Sequence, residues 1–273
     1  MRTQQQKAEA FRALHVRPGA FIIPNPWDVG TARILERLGF EALATTSAGF
    51  AFSHGVPDNR VGRDAMLAHV AQLTAATNIP VSADLENGYG DDPKTVAETV
   101  HLAAAAGVAG CSIEDSVNRP GEVVYEIGHA TDRIRAAVEA ARAMPFPFTL
   151  TARAENFLVG RLDLKDTIVR LQAYQEAGAD VLYAPCITTC EEITTIVRSV
   201  DRPVNFLMGT QPVRYSLTEL SEMGVRRVSV GSALATAALG AFLRGAREMN
   251  ERGTFEYAKD SAGFGEVSEL LKL

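Results

Sequence analysis

Short apolar runs rich in Val, Ile, Leu and Ala alternate along the chain with longer amphipathic stretches. The alternation returns about every 25 to 30 residues, a spacing within the range of a βα unit. Eight units follow one another. The apolar runs occupy residues 20–26, 41–47, 80–86, 108–115, 148–155, 179–185, 203–208 and 225–231. Helical periodicity occupies the segments near 28–38, 63–76, 93–106, 130–143, 164–177, 190–200, 216–223 and 233–250, several of them opened by Asp, Ser or Pro and closed by Gly. Pro93 in a first turn, and Gly107, Gly178 and Gly224 after a last turn, fit that punctuation. Strands apolar on both faces belong in a parallel sheet covered by crossover helices. Eight units in about 250 residues therefore predict an α/β fold of the (β/α)8, TIM-barrel type rather than a doubly wound sheet. The segment NPWDVG after the first run also carries a Trp where a dinucleotide fingerprint needs close backbone approach. No Pro/Gly/Ser-rich linker interrupts the series. Residues 1–273 are expected to form one barrel domain with a short N-terminal helix and a C-terminal helical extension.

Composition narrows the function. With 47% hydrophobic residues the chain can bury a large core, and a net charge of −6 argues against nucleic acid or an anionic membrane as its main partner. The N-terminal MRTQQQKAEAFRAL lacks the apolar core of a signal peptide, and no 18-residue apolar stretch follows. A cytoplasmic protein acting on a small molecule is expected. Cys111, Cys186 and Cys190 make neither a disulfide framework nor a zinc site, and Cys186 and Cys190 read as packing residues.

In a barrel of this type chemistry sits at the carboxyl ends of the strands. The third run ends in Asp84 and Glu86, the fourth in Glu114 and Asp115, the fifth in Arg153 and Glu155, and the second in Thr45-Thr46-Ser47 with Gly49 close behind. Residues i and i+2 of a strand share a face, so Asp84 and Glu86 should point together, and only one of Glu114 and Asp115 can join them. Converging carboxylates repel one another unless a cation sits among them, and oxygen-only ligands suit Mg2+, or Mn2+. Asp84, Glu86 and Glu114 together are accordingly the expected metal ligands; singly, each reads more readily as a capping or ion-paired acid. Arg153 can clamp a substrate carboxylate or form an ion pair with Glu155 or Glu114. Thr46, Ser47 and the amides of Ala48 and Gly49 can form a nest for an oxyanion, or only a turn of small residues. VSVGSALA (228–235) could hold a phosphate, or simply close the last βα turn.

What is missing also counts. All five lysines fall in helical or terminal stretches, which removes a Schiff-base nucleophile. The histidines lie in helices or loops, and only His54 and His129 fall on loops that could reach an active site.

From PNPWDVGTARILERLGFEAL through TTSAGFAFSHGVPD, VSADLENGYGDD, AGCSIEDS and LTARAENFLVG to ADVLYAP, the chain resembles the isocitrate lyase and phosphoenolpyruvate phosphonomutase superfamily. The order and spacing of ADLENGYG, SIED and TARAE carry the likeness, which covers most of the chain. The resemblance implies a Mg2+ barrel whose metal is held by Asp84, with Glu86 and Glu114 acting largely through water. It implies that Arg153 grips the carboxylate of a 2-oxo acid, that Thr46 to Gly49 bind the same ligand from above, and that Asp58 in SHGVPDNR is an active-site residue. It further implies a homo-oligomer, a dimer or tetramer, in which the last helix is exchanged; the Ala-rich stretch after Gly231 suits this and an ordinary eighth helix equally. Two departures stand out. Glu86 and Asn87 occupy positions where Asp and Thr are usual, and the loop SVNRPGEVVYEIGH (116–129) holds neither the cysteine of the lyases nor the lysine of the phosphonomutases. Asn118, Arg119, Tyr125 and His129 are the residues at hand to replace them. Decarboxylation needs no base on the leaving group, whereas retro-aldol cleavage does. The expected activity is thus a Mg2+-dependent carbon–carbon lyase, of decarboxylase or retro-aldol type, on a small 2-oxo or 2-hydroxy di- or tricarboxylate through a pyruvate-like enolate. The alternatives are a phosphonate-processing enzyme of phosphonopyruvate mutase or hydrolase type and a non-catalytic 2-oxo acid binder.

Overall fold

Polar caps set where most helices begin. In the computed structural model, which describes residues 1–119, 122–209 and 213–272 (with the side chains of residues 118, 119 and 122 excluded), Thr3 and Gln6 form a reciprocal capping box that starts α1 (Gln4–Val16). There follow β1 (Phe21–Ile23), α2 (Val29–Arg37), β2 (Leu43–Ala44), α3 (Ser47–Ser53), α4 (Arg63–Ala76), β3 (Val81–Asp84), α5 (Pro93–Ala105) and β4 (Gly110–Glu114). A hairpin of β5 (Ser116–Arg119) and β6 (Glu122–Val124) leads to α6 (Ile127–Arg142), β7 (Thr149–Arg153), α7 (Leu164–Glu176), β8 (Val181–Tyr183) and α8 (Cys190–Ser199). The chain ends with β9 (Val204–Leu207), α9 (Leu217–Glu222), β10 (Arg227–Ser229), α10 (Ala233–Arg252), a 3-10 turn (Glu256–Asp260) and α11 (Phe264–Leu270). Asp28, Asp92, Asp163, Thr189 and Ser216 each accept a backbone N–H in the first turn of the helix that follows.

Eight parallel strands run in the order β1, β10, β9, β8, β7, β4, β3, β2. The remaining seam is drawn together by Ala44 N donating to Pro24 O at 3.1 Å and by Asn25 Nδ2 donating to Thr45 O at 2.9 Å. The result is the expected TIM-type barrel, nearly closed. Each of the eight apolar runs contains one barrel strand.

The two faces of the strands differ more than the apolar runs suggest. Outward residues such as Leu43, Ala83, Cys111, Ile113, Leu150, Ala152, Leu182, Phe206 and Val228 pack into one apolar cluster with the helices. Positions pointing inward from the same strands include Ser82, Ser112, Asn205, Arg227 and Ser229. Small polar side chains therefore leave an open interior above a plugged base. The plug is α1, whose Ala8, Phe11 and Leu14 pack with Phe21, Ile23, Ala42 and Ala109. Gly110 permits this approach: a Cβ there would lie 2.3 Å from Thr149 O and 3.2 Å from Phe11.

Helix α3 and the β5–β6 hairpin are additions to the eight predicted units. At the other end, α10 and the tail leave Phe242, Leu243, Met249, Phe255 and Phe264 largely exposed.

Candidate active site

The carboxyl ends of the strands open into a cavity of about 360 Å³, a volume suited to a small ligand. Thr46, Ser47, Ala48, Asp58, Asp84, Arg153, Leu158, Pro185, Cys186 and Ser232 form its upper wall. A second cavity of similar size, lined by Arg12, Arg142, Arg202 and Asp180, lies on the opposite side of the barrel from these strand ends. The first is lined by Asp58, Asp84 and Arg153.

Arg153, the last residue of β7, is the hub. Its Nη1 lies 2.9 Å from Asp84 Oδ1, its Nη2 3.0 Å from Glu114 Oε2, and its Nε 2.8 Å from Glu155 Oε1. Burial alone would lower its pKa, but the charges of Glu155, Glu114 and Asp84 outweigh burial and hold the guanidinium protonated. The readings of Arg153 as a buried ion pair with Glu155 and with Glu114 are thus both realised. Among the described residues these contacts leave two of the five guanidinium N–H donors.

One cation does not balance its surroundings. Burial, then the neighbouring acids Asp84, Glu114 and Asp58, push Glu86 up to about 8. Burial likewise carries Glu155 to about 8 against the pull of Arg153, and Glu155 Oε2 has no hydrogen-bond partner among the described residues. Glu114 is raised by burial despite Arg153, and its carboxylate accepts the Ser116 hydroxyl. Asp58, at the rim, is raised by desolvation and by Asp84, while Ser47 and Asn59 partly stabilise its charge. The site carries more hard oxygen donors than its one guanidinium engages, a donor set that fits Mg2+ or Mn2+.

The predicted residues take distinct positions. Asp84 ends β3 and accepts the Ser47 amide on Oδ2 at 3.1 Å. Glu86 does not continue that strand: it adopts a left-handed backbone (φ 50°), as do Gly88 and Tyr89, and faces a shallow recess beside Asn59, Asn87 and Tyr89. The expectation that Asp84 and Glu86 share a strand face is therefore corrected; the turn begins one residue after Asp84. Glu114 points inward and Asp115 away, as alternation requires. Asp115 binds Glu155 N (2.8 Å), Arg170 Nη1 (3.0 Å) and Tyr174 OH (2.5 Å), which makes it a buried brace behind the site. Among the described residues no three His, Cys, Asp or Glu side chains stand close enough to hold one ion directly.

The Thr46–Gly49 segment is the start of α3 rather than a free nest. Thr46 caps the helix by accepting Gly49 N at 3.2 Å, and Ser47 N is engaged by Asp84. Thr46, Ser47 and Ala48 line the cavity, but Gly49 does not; it permits close packing, since a Cβ there would lie 2.7 Å from the Thr46 side chain and 3.1 Å from Trp27. The amides of Val230 and Gly231 are likewise taken, both donating to Asn25 Oδ1, so the last βα turn offers neither to a phosphate.

Of the loop substitutes, the side chains of Asn118 and Arg119 lie outside the described residues. The Tyr125 hydroxyl donates to Asp91 Oδ1 at 2.5 Å and accepts from Asn87, and His129 Nε2 meets Asp91 O at 3.0 Å, so both face the β3–α5 turn. His54 is tied to Phe50 O at 3.1 Å. Cys186, read as packing, instead lies on the cavity wall with φ 67°; Cys190 is exposed. Asn25, Ser82, Ser112, Tyr183, Asn205, Arg227 and Ser229 also line the cavity. No motif singles these out; the period-2 placement of Ser, Asn and Arg inside otherwise apolar runs was the available signal.

Comparison with known proteins finds relatives over nearly the whole chain. A protein from Burkholderia cenocepacia J2315, described as a candidate lyase/mutase, superposes with a TM-score of 0.96 at 61% identity over 99% of this chain and 97% of the other. Oxaloacetate acetylhydrolase in complex with its product oxalate superposes with a TM-score of 0.88 at 25% identity, over 99% and 95%. The 2-methylisocitrate lyase of Escherichia coli strain K12 is 32% identical over 204 residues, 72% of this chain and 68% of the lyase. The profile of the phosphoenolpyruvate phosphomutase family matches residues 11–250. Superfamily members are lyases and mutases that act on carboxylates. With that match spanning most of the barrel, the chain belongs to the phosphoenolpyruvate phosphomutase family, within the isocitrate lyase superfamily.

Proposed function

We propose that the protein is a Mg2+-dependent carbon–carbon lyase that acts on a small 2-oxo or 2-hydroxy di- or tricarboxylate. The observation that carries the reading is the meeting of Asp84, Glu114 and Glu155 on Arg153, directly beside the start of α3. Asp84 would hold the ion, with Glu86 and Glu114 reached through water; once bound, Mg2+ supplies electrophilic polarisation of the 2-oxo oxygen. Arg153 turns its two remaining N–H donors toward the substrate carboxylate and opposes the charge that develops as the carbon–carbon bond breaks. Thr46, Ser47 and Ala48 close over the ligand and exclude water. Asp58 at the rim, its pKa raised, is the group placed to exchange a proton with a leaving fragment. Loss of CO2 from a 2-oxo diacid makes the least demand on a base, which suits a loop without cysteine or lysine.

Oxalate mimics the enolate of pyruvate and tests the site without turnover. In calorimetric titrations the wild type is expected to bind oxalate only with Mg2+ present, and Asp84→Ala to lose that binding at least a hundredfold. Metal-independent binding, or full affinity in the variant, refutes the assignment.

The exposed apolar side chains of α10 and the tail support self-association, because single soluble chains seldom expose so many large apolar groups together. The wild type should sediment as a dimer or tetramer, and Phe242→Glu should shift it toward monomer. A monomeric wild type would sink this part of the reading.

A further inference from the structure

The cavity floor carries a charge that the chemistry above leaves unused. Arg227 projects from β10 into the barrel and is only 5% exposed. Its Nε donates to Asn205 Oδ1 at 2.8 Å, its Nη2 to Thr151 Oγ1 at 3.0 Å, and its Nη1 faces His15 Nε2 at 3.4 Å. His15 Nδ1 lies 2.8 Å from Phe11 O, which can only accept, so the ring proton sits on Nδ1 and Nε2 is the acceptor for Arg227. Burial, and then the charge of Arg227, push His15 down to about 3, so the imidazole is neutral.

All three partners are thus uncharged, and among the described residues no carboxylate forms an ion pair with Arg227. Two residues further along β7 from Thr151, Arg153 faces three carboxylates. A buried cation without a counter-charge is costly, and burial with the neighbouring Arg153 lowers its pKa to about 10, which still leaves it protonated. The surrounding wall is open to a ligand: Ser82, Ser112, Asn205 and Ser229 are short polar side chains lining the same cavity. The spacing also suits a short molecule, because positions i and i+2 on a strand stand about 6.5 Å apart, a gap of the order spanned by a four- or five-carbon diacid.

We propose that Arg227, with Asn205 and the serines around it, forms an anion subsite at the cavity floor that receives the second carboxylate of a short dicarboxylate. This rests on the 2-oxo acid reading of the upper tier. A monoacid satisfies Arg153 alone and leaves Arg227 without a counter-ion; a diacid neutralises both.

The test compares pyruvate with 2-oxoglutarate, a five-carbon dicarboxylate with the same 2-oxo acid head, by calorimetry on the Mg2+-loaded protein. The wild type should bind the diacid at least tenfold more tightly than pyruvate. Arg227→Gln should abolish that ratio with pyruvate affinity unchanged, and Arg227→Lys, which keeps the charge but shortens its reach, should retain part of it. A ratio preserved in either variant, or an equal loss for both ligands in a folded variant, overturns the subsite; if the Gln variant does not fold, the Lys variant decides on the same criterion. Pyruvate binding without diacid preference in the wild type removes the subsite alone. No binding of pyruvate or oxalate removes the 2-oxo acid reading itself.

Discussion

Arg153→Met is expected to lose about 3 to 5 kcal/mol of folding stability and all measurable oxalate binding. The side chain is 12% exposed and joins Asp84, Glu114 and Glu155; without it those acids remain buried beside one another with no counter-charge. The loss should depend on pH. Glu86 and Glu155 stand at about 8 in the folded protein against 4.5 for the ordinary group, so between those values the folded state binds more protons than the unfolded one. Stability therefore falls as pH rises from about 4.5 to 8 and levels off above. Removing Arg153 withdraws the charge that lowers both pKa values, so the slope should steepen in the variant. Urea unfolding at pH 5, 7 and 8.5 on both proteins measures this. A variant as stable as the wild type at pH 8.5, or two parallel pH profiles, would show that the guanidinium does not carry the cluster.

Asp115→Ala should cost a similar amount, about 3 to 5 kcal/mol, although the residue never touches the cavity. Its carboxylate is 1% exposed and serves the Glu155 amide, Arg170 and Tyr174 at once. Deleting it leaves a buried amide and a buried phenol without an acceptor, and leaves Arg170 with Asp166 as its remaining carboxylate partner. Because Glu155 is held through its amide, the Nε partner of Arg153 should shift as well. Denaturant unfolding should show the stability loss, with weaker oxalate binding in the fraction that folds. A change below about 1 kcal/mol would mean that water takes over as the acceptor for the Glu155 amide and the Tyr174 hydroxyl.

These two neighbours show what one-dimensional reading resolves. Glu114 and Asp115 are adjacent acids at a strand end, and strand alternation sends one inward and one outward without saying what each meets. The outward partners, Arg170 and Tyr174, come from α7, more than fifty positions along the chain. Glu86 illustrates the opposite case. Local pattern extended the strand to it, but the ENGYG turn takes left-handed backbone at Glu86, Gly88 and Tyr89 and sets Glu86 on the wall of a side recess. A turn of this kind is decided by packing: a Cβ on Gly88 would press on Val96 of α5 at 3.1 Å, and only the assembled barrel imposes that contact.

By itself the sequence determined eight βα units, their capping residues, the identity of the strand-end acids and of Arg153, and the family. The units, caps and strand ends rest on interactions between near neighbours or on periodicity, which a linear string records directly, and the family rests on the resemblance carried by ADLENGYG, SIED and TARAE. The tertiary structure alone decided that Arg153 bridges three acids from three loci, that Gly49 packs instead of lining the cavity, that Cys186 faces the cavity, and that Arg227 lines its floor with no ion pair to a carboxylate among the described residues. Those facts depend on which side chains closure of the barrel brings across its interior. Closure is a cooperative property of all eight strands, and no single segment encodes it.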